Sequence, residues 1–274
     1  MRRAATIAWQ AFLRFNEDDG WAIASHIALS ALMALFPFFI VLTSLAGFFG
    51  SGNLAGAVAS LMFATWPEQV AEPIVAEVQK VLTQTHTGAL TLGLLLAVFF
   101  ASSGVESLRI GLNRAYGVVE SRHWVLLRLE SIAYVLLAVM AFLALGFLIV
   151  LGPLLFHTAV HHAPWLEPLE GTITLFRFGI AGVVLAVALF VAHKWLPGGR
   201  RRVVEILPGI AATLLLWLAT AIAFGRYLAQ FAVTYVSYYA GLASVMMALV
   251  FLYWTASIFV YGGALNSTIF PRRR

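Results

Sequence analysis

Long apolar stretches separated by short polar segments run through the whole sequence. Six of them reach the roughly 20 residues that a helix needs to cross a hydrocarbon core of about 30 Å. They lie near 22–49, 88–108, 131–156, 173–195, 207–230 and 240–269. Transmembrane strands are only about ten residues long and alternate in polarity. The pattern therefore predicts an all-α, polytopic membrane helix bundle of about six transmembrane helices, each with its backbone bonded internally.

Two segments between these stretches have an amphipathic pattern. In the region 53–84, the apolar run 54–66 is too short to span and is either re-entrant or interfacial. The following piece, 70–82, has apolar residues at helical spacing, typical either of a helix on the membrane surface or of a loop helix packed on the bundle. The region 109–130 is basic and amphipathic. We predict that 53–84 is periplasmic and that 109–130 lies along the cytoplasmic leaflet.

The basic residues fall almost entirely on one side of the predicted membrane. With a cytoplasmic N-terminus, the cytoplasmic segments contain 14 of the 17 Lys and Arg residues. These are Arg2, Arg3, Arg14, Arg109, Arg114, Arg122, Arg128, Lys194, Arg200, Arg201, Arg202, Arg272, Arg273 and Arg274. The other side keeps Lys80, Arg177 and Arg226. Because positive charge is retained on the cytoplasmic side during insertion, we predict a multi-pass protein of the bacterial inner membrane with both termini cytoplasmic.

The overall composition supports one membrane domain over 1–274. Hydrophobic residues make up 62% of the chain and charged residues 11%, against about 45–50% and about 25% in soluble domains. The first apolar stretch is too long for the core of a cleavable signal, so we expect it to be retained. The net charge is +5. Because the basic residues lie between apolar stretches, we attribute this charge to membrane topology and expect no nucleic-acid partner. The absence of cysteine excludes disulfides, thiolate catalysis and Cys-type zinc sites.

Three segments carry a resemblance to a known family. Ser25 to Gly50 (SHIALSALMALFPFFIVLTSLAGFFG) runs through a polar patch into a Phe-Pro step, Leu112 to Arg122 (LNRAYGVVESR) contains an LN-x-x-Y segment, and Tyr239 to Asn266 (YAGLASVMMALVFLYWTASIFVYGGALN) ends in G-A-L-N. In this order and spacing they resemble the YihY/BrkB family of bacterial inner-membrane proteins, once labelled ribonuclease BN. The resemblance implies an envelope membrane protein, for which transport and serum resistance have been suggested.

The chain departs from that family's pattern at three places. Leu29 and Ala34 stand where the family usually has Tyr and Ser, and Ala264 replaces the acid of the last motif. A role attributed to that carboxylate in the family therefore does not carry over to this chain.

Nuclease chemistry needs clustered His and Asp residues that hold metal ions and activate water. The two Asp residues, Asp18 and Asp19, are adjacent, and the sequence has neither a Gly-Lys-Ser/Thr loop nor a Gly-x-Ser-x-Gly elbow. His157 and His161 share a helical face, but together with His162 they lie at the predicted outer boundary, where interfacial histidines are commoner than metal ligands. We expect a protein that is not an enzyme, with no catalytic residue, no metal site and no cofactor.

Polar residues within the spans are the candidate pathway residues. His26 and Ser30 lie early in the first span, where His26 either reaches the interface or belongs to a polar pathway. Pro37 removes a backbone donor in mid-span and predicts a kink. The other candidates for a substrate or lipid pathway are Glu106, Asn113 and Asn266.

Four arginines are candidate contacts for anionic headgroups. Arg109, Arg114 and Arg122 lie in the basic region 109–130, and each basic residue near a membrane surface attracts anionic lipid by about 1 kcal/mol. The alternative is that they only fix topology. Arg226 lies near the predicted outer end of the fifth span and either snorkels outward or binds an anion in a cavity.

These features favour a non-enzymatic membrane protein that binds or transports an amphipathic, lipid-like envelope molecule. An ion pump normally has acids or bases in mid-membrane, and few are present here. The alternatives are a scaffold for an envelope complex and a small-solute transporter with a solvated polar cavity. The expected partners are membrane lipids, with envelope proteins or a second copy of the chain as further candidates.

Overall fold

The computed structural model describes residues 2–48, 87–146, 164–239 and 242–271, together with five single positions between 146 and 164. The predicted periplasmic region 53–84 lies outside these residues, as do His157 and His161. In the described part of the chain the regular structure is entirely helical, which confirms the all-α prediction.

Seven α-helices and one short 3₁₀ helix form the described fold. They are α1 (Arg2–Glu17), α2 (Gly20–Phe48), α3 (Thr87–Ala115), α4 (Trp124–Gly146), the 3₁₀ helix Pro164–Leu169, α5 (Glu170–Trp195), α6 (Val203–Tyr239) and α7 (Ala243–Ile269).

Five of these helices contain a segment long and apolar enough to cross a membrane. The segments are Thr91–Ala115, Trp124–Ala141, Glu170–Trp195, Val203–Gln230 and Val245–Ile269. Helix α2 contributes the shorter apolar piece Gly20–Leu35 among the described residues. A polytopic membrane bundle is therefore confirmed, and the count of six spans stays a prediction.

The helix bounds differ from the predicted spans at several ends. Helix α4 begins at Trp124, seven residues before the predicted third span, and α6 extends beyond 207–230 in both directions. The basic region 109–130 is not a separate surface helix: it comprises the end of α3, a turn, and the first residues of α4. Charged residues in this region pair with one another, which allows the helices to continue past the apolar stretches.

Hydrogen bonds between helix ends establish that consecutive long helices run in alternating directions. Arg114, at the end of α3, bonds Asp19 before α2 at 2.9 Å. Asn113 of α3 bonds Gly198 after α5, and Asn266 near the end of α7 bonds Gly209 near the start of α6. These ends meet at one end of the bundle, called the connector end below. The sequence predicts that this end is cytoplasmic.

The packed core lies where α2, α3, α6 and α7 meet. Leu112, Ile206 and Val260 are almost completely buried there. Helices α6 and α7 approach closely at Gly209 and Gly262, because a Cβ atom on Gly209 would overlap the Gly262 carbonyl oxygen. Since lipid is as apolar as the side chains it replaces, such close packing stabilises a membrane bundle.

Helix α1 is an amphipathic helix that we did not predict. Ala11 and Phe15 are buried against the bundle, whereas Trp9 is 60% exposed. Tyr261 of α7 donates a hydrogen bond to the Ala8 carbonyl at 3.1 Å. The signal was present in the four-residue spacing of these apolar positions, but the high polarity of the segment concealed it.

Candidate functional site at the connector end

The connection between α5 and α6, residues 196–202, is partly buried although it is not helical. Leu196, Pro197, Gly198 and Arg201 are buried. Gly199 has a φ of +80°, which glycine adopts without strain. A buried connection needs partners for its backbone groups, and side chains from neighbouring helices supply them.

Asn113 and Arg122 bind the first half of this connection. Asn113 Oδ1 accepts a hydrogen bond from the Gly198 amide at 2.8 Å, and its Nδ2 donates to Glu120 at 3.1 Å. Arg122 Nη2 donates to the Leu196 carbonyl at 2.9 Å. The predicted pathway residue Asn113 therefore joins α3 to the connection by a hydrogen bond.

Asn266 binds the start of α6 in the same manner. Pro208 lies inside α6 and interrupts its backbone hydrogen bonds. Asn266 Oδ1 accepts from the Gly209 amide at 2.6 Å, and Nδ2 donates to the Ile206 carbonyl at 3.2 Å. The carboxamide thus joins α7 to the backbone of α6 on both sides of the proline.

Tyr116, His193 and Arg201 complete the polar cluster. Tyr116 Oη accepts a hydrogen bond from Asn266 Nδ2 at 3.0 Å and lies 2.8 Å from His193 Nδ1, to which it can donate. The Arg201 guanidinium lies 4.0 Å above the Tyr116 ring, within the range of a cation–π contact. Its Nη2 donates to the Gly198 carbonyl at 2.9 Å. Arg201 is 4% exposed, and these contacts hold its guanidinium in a fixed position.

A cleft of about 740 Å³ opens beside this cluster, between α1 and the ends of α3, α6 and α7. Its charged lining residues are Arg14, Glu17, Asp18, Arg114, Arg201 and Glu205. Its apolar lining includes Leu13, Val119 and Phe270, which are 42%, 90% and 38% exposed. Tyr116 and Asn266 also line the cleft, which connects it to the buried cluster. One cavity therefore presents both charged and apolar surfaces.

An ion-pair network reinforces the turn between α3 and α4. Glu120 accepts from Arg122 Nε and Nη2, each at 2.8 Å, and Arg122 Nη1 donates to Glu130 at 2.7 Å. The hydrogen bonds from Arg122, supported by the one from Asn113, lower the pKa of Glu120 from 4.5 to about 2 even though burial opposes ionisation. The same pairing with Glu120 raises the pKa of Arg122.

Arg109 is buried, so it does not contact headgroups as we predicted from its position. It is 3% exposed, and its Nη1 donates to the Leu127 carbonyl at 3.2 Å. Its Nη2 donates to Glu106, also at 3.2 Å. Glu106 accepts in addition from Arg128 at 3.5 Å. Arg109 and Glu106 thus pair within α3, and the bonds from Arg109 to the Leu127 carbonyl and from Arg128 to Glu106 join α3 to α4.

Two of the predicted residues of the first span, His26 and Ser30, lie on a separate contact between α2 and α3. His26 Nδ1 is 2.7 Å from the Ser107 hydroxyl. Ser30 is buried and faces Gly104, and Pro37 lies inside α2 and is buried. None of the three predicted residues lines the cleft.

Two of the predicted headgroup arginines remain accessible. Arg114 is 50% exposed, pairs with Asp19 and lines the cleft. Arg226 is exposed on α6, close to the end of the apolar segment Val203–Gln230, and the helix continues beyond it to Tyr239. The structure thus places Asn113, Asn266, Arg114 and Arg122 at the connector end and Arg226 away from it.

Three important residues of the cluster were missed from the sequence. Tyr116 is the aromatic residue of the LN-x-x-Y segment, a signal that was recognised as a motif but given no chemical role. Arg201 was interpreted only as a topology determinant, and His193 received no role. Within the described residues there is no group of three or more His, Asp or Glu side chains suited to a metal ion.

Alternating apolar helices with a polar cluster at one end define a multi-pass helical membrane protein. Residues 11–274 match the family model of virulence factor BrkB. The chain therefore belongs to the BrkB family, as its three sequence motifs indicated.

Three relatives support this assignment, two of them similar in length to this chain. The chain is 22% identical over 265 residues to the putative ribonuclease-like protein YfkH of Bacillus subtilis, covering 96% of this chain and 94% of that protein. It is 26% identical over 272 residues to a UPF0761 membrane protein of Coxiella burnetii, covering 98% of this chain and 94% of that protein. A UPF0761 membrane protein of Rhodospirillum centenum is also 26% identical over 269 residues, which are 97% of this chain but 58% of that longer protein. No solved structure matches the chain.

Proposed function

We propose that this protein binds an amphipathic, lipid-like molecule in the cleft at the connector end and moves it within the bacterial inner membrane, without catalysing a reaction. The observation that carries the proposal is the cleft of about 740 Å³ that combines buried charge with exposed apolar side chains. An amphipathic ligand needs both surfaces. Its headgroup loses water on binding and needs charged partners, whereas its tail extends out of the cavity and contacts apolar side chains.

The charged part of the cleft is held in place before any ligand arrives. Arg201 is fixed by its stacking on Tyr116 and by its bond to the Gly198 carbonyl. Guanidinium groups recognise phosphate and carboxylate well, because several donors lie in one plane. Preorganisation of this kind reduces the entropy lost on binding.

The apolar part of the cleft lies at its rim. Val119 is 90% exposed in the turn after α3, and Leu13 of α1 faces the same cavity. Apolar side chains left this exposed beside a charged cavity are unfavourable in water. They become favourable when hydrocarbon covers them.

Aromatic residues on α1 and on the neighbouring helices α2 and α7 support a position of α1 at the membrane interface. Trp9 stacks on Phe12 with ring centroids 5.6 Å apart, and Trp21 contacts Trp254 at 6.2 Å. Trp9 and Trp254 are substantially exposed. Tryptophan is enriched at the level of lipid headgroups, so α1 is suited to lie between the cleft and the surrounding lipid.

Buried charge in the described residues favours this function over ion pumping. Arg109 and Arg201 are buried, and both lie towards the connector end. An ion pathway normally has ionisable residues near the middle of the membrane. The two buried charges instead lie towards the end at which we propose that the headgroup binds.

The test is redistribution of a fluorescent phospholipid between the leaflets of liposomes that contain the purified protein. We expect wild-type protein to accelerate redistribution, and Val119→Asp to reduce the rate at least about threefold because a charge at the rim opposes a lipid tail. Val119→Leu keeps the rim apolar and is the matched control, with a rate near wild type. No acceleration by the wild type, together with no co-purifying lipid, would contradict the proposal.

A further inference from the structure

Asp18 has an unusual environment for a carboxylate at the surface of a bundle. It lies between α1 and α2 and lines the cleft. Its Oδ2 atom is buried without a partner within hydrogen-bond distance, whereas the side chain as a whole is 33% exposed and lines the cleft. Arg14 Nε is 3.7 Å away, which is an ion-pair distance but too long for a hydrogen bond. Arg14 therefore supplies a charge partner but no donor within hydrogen-bond distance, and the exposed part of the carboxylate is open to a donor from a ligand in the cleft.

The charge balance at Asp18 points in the same direction. Burial raises the pKa of Asp18, and this effect outweighs the opposing attraction of Arg14 and Arg114. The negative charge of Glu17 adds to the increase. The carboxylate is thus incompletely compensated by the protein, and a positively charged ligand group that donates hydrogen bonds would compensate it.

Positive charge lines the same cleft at other positions. Arg201 lies against Tyr116, and the half-exposed Arg114 lines the cleft from the end of α3. Glu205 also lines the cleft and accepts a hydrogen bond from the Arg202 amide at 3.0 Å. Three arginines and three carboxylates thus line one cavity, a distribution that complements a ligand with a cationic and an anionic group.

We propose that the cleft selects phospholipids whose headgroup has both a phosphate and a primary ammonium, with the ammonium donating to Asp18 and the phosphate near Arg201 and Arg114. This inference rests on the proposed function, because it names the class of lipid that the cleft binds. A primary ammonium has three N–H donors. A quaternary ammonium has none, and a glycerol headgroup has no positive charge.

The experiment compares three lipids with identical acyl chains on the full-length protein in detergent. Phosphatidylethanolamine, phosphatidylcholine and phosphatidylglycerol are added in equal amounts, and the bound lipid is counted by native mass spectrometry. We expect at least about tenfold more bound phosphatidylethanolamine than either other lipid, the lower end of the effect of one charge-assisted hydrogen bond. In Asp18→Asn this preference falls to within about twofold.

Asp19→Asn is the matched control, because it removes the same charge from the next residue. The Asp19 side chain is 70% exposed and does not line the cleft. Asp19 has a φ of +56°, a conformation that Asn also tolerates. We expect Asp19→Asn to keep the preference for the ammonium lipid.

A stability measurement separates ligand binding from a structural role of Asp18. Because burial disfavours the carboxylate, Asp18→Asn is expected to leave the thermal unfolding midpoint of lipid-free protein unchanged or higher. A lower midpoint with general loss of lipid binding would overturn the inference and make Asp18 structural. Equal binding of all three lipids to wild type would overturn the inference while the proposed function stands. Binding of none would refute the proposed function itself.

Discussion

Helices α5 and α7 have similarly apolar sequences but occupy different environments. Their candidate spans have mean hydropathies of 2.4 and 1.8, yet 11% of the α5 residues are buried within the protein against 39% of those in α7. Phe176 and Val183 of α5 are exposed, whereas Phe259 and Val260 of α7 belong to the core.

The difference between these helices shows what holds the bundle together. Helix α7 contains Gly262, which permits close approach to α6, and Asn266, which bonds the α6 backbone. In α5 the buried His193 lies near the connector end. A Cβ atom added to Gly179 or Gly182 would have no neighbouring atom within 4 Å, so neither glycine serves a close helix contact. Small residues and buried polar side chains therefore distinguish a core helix from a lipid-facing one where hydropathy does not.

The largest expected effect is the loss of the Asn266 carboxamide. Asn266→Leu leaves the Gly209 amide, the Ile206 carbonyl and Tyr116 without this partner, so we expect a destabilisation of about 3 kcal/mol. Unfolding in detergent, followed by heat or denaturant, measures it. Ser267→Ala is the control, because its hydroxyl bonds only within α7 and its loss should cost about 0.5 kcal/mol. Equal costs for the two variants would show that the hydrogen bonds between Asn266 and α6 do not hold α7 in the core.

A pair of glycine substitutions sharpens the same contrast. Gly209→Ala forces the close contact with Gly262 apart and should cost about 2 kcal/mol. Gly182→Ala on α5 meets no neighbour and should be neutral or stabilising by about 0.5 kcal/mol, since alanine favours helix. Unfolding midpoints of both variants against wild type provide the measurement. Destabilisation by Gly182→Ala would show that the outer face of α5 is packed.

The smallest expected effect concerns Glu120, whose folded-state pKa is lowered to about 2. Its stabilisation is present above the unfolded-state pKa, near 4.5, and is lost as the pH falls towards about 2. Glu120→Gln should cost about 1 kcal/mol at pH 7, because solvent screens this partly exposed group. The difference from wild type should shrink as the pH falls below about 4.5. A difference that does not depend on pH would assign the effect to packing.

The amino-acid sequence is sufficient to predict the helical membrane architecture and the family. Spans of about 20 apolar residues have no other stable form in lipid, since every backbone group must be bonded internally. The motifs at Asn113 and Asn266 were also visible, because polar residues near the ends of apolar spans are conspicuous. Their partners were not visible, because Gly198 and Gly209 are distant in sequence and contribute only backbone atoms.

Which charges are buried and which residues are in contact depends on how the helices pack. Arg109 and Arg114 have the same local polarity, yet the first is enclosed by α4 and the second opens into the cleft. Tyr116, His193 and Arg201 converge from three separate segments, and α1 closes one side of the cavity. Helical periodicity specifies which residues share a face. It does not specify which face meets another helix, because lipid and protein interior are almost equally apolar.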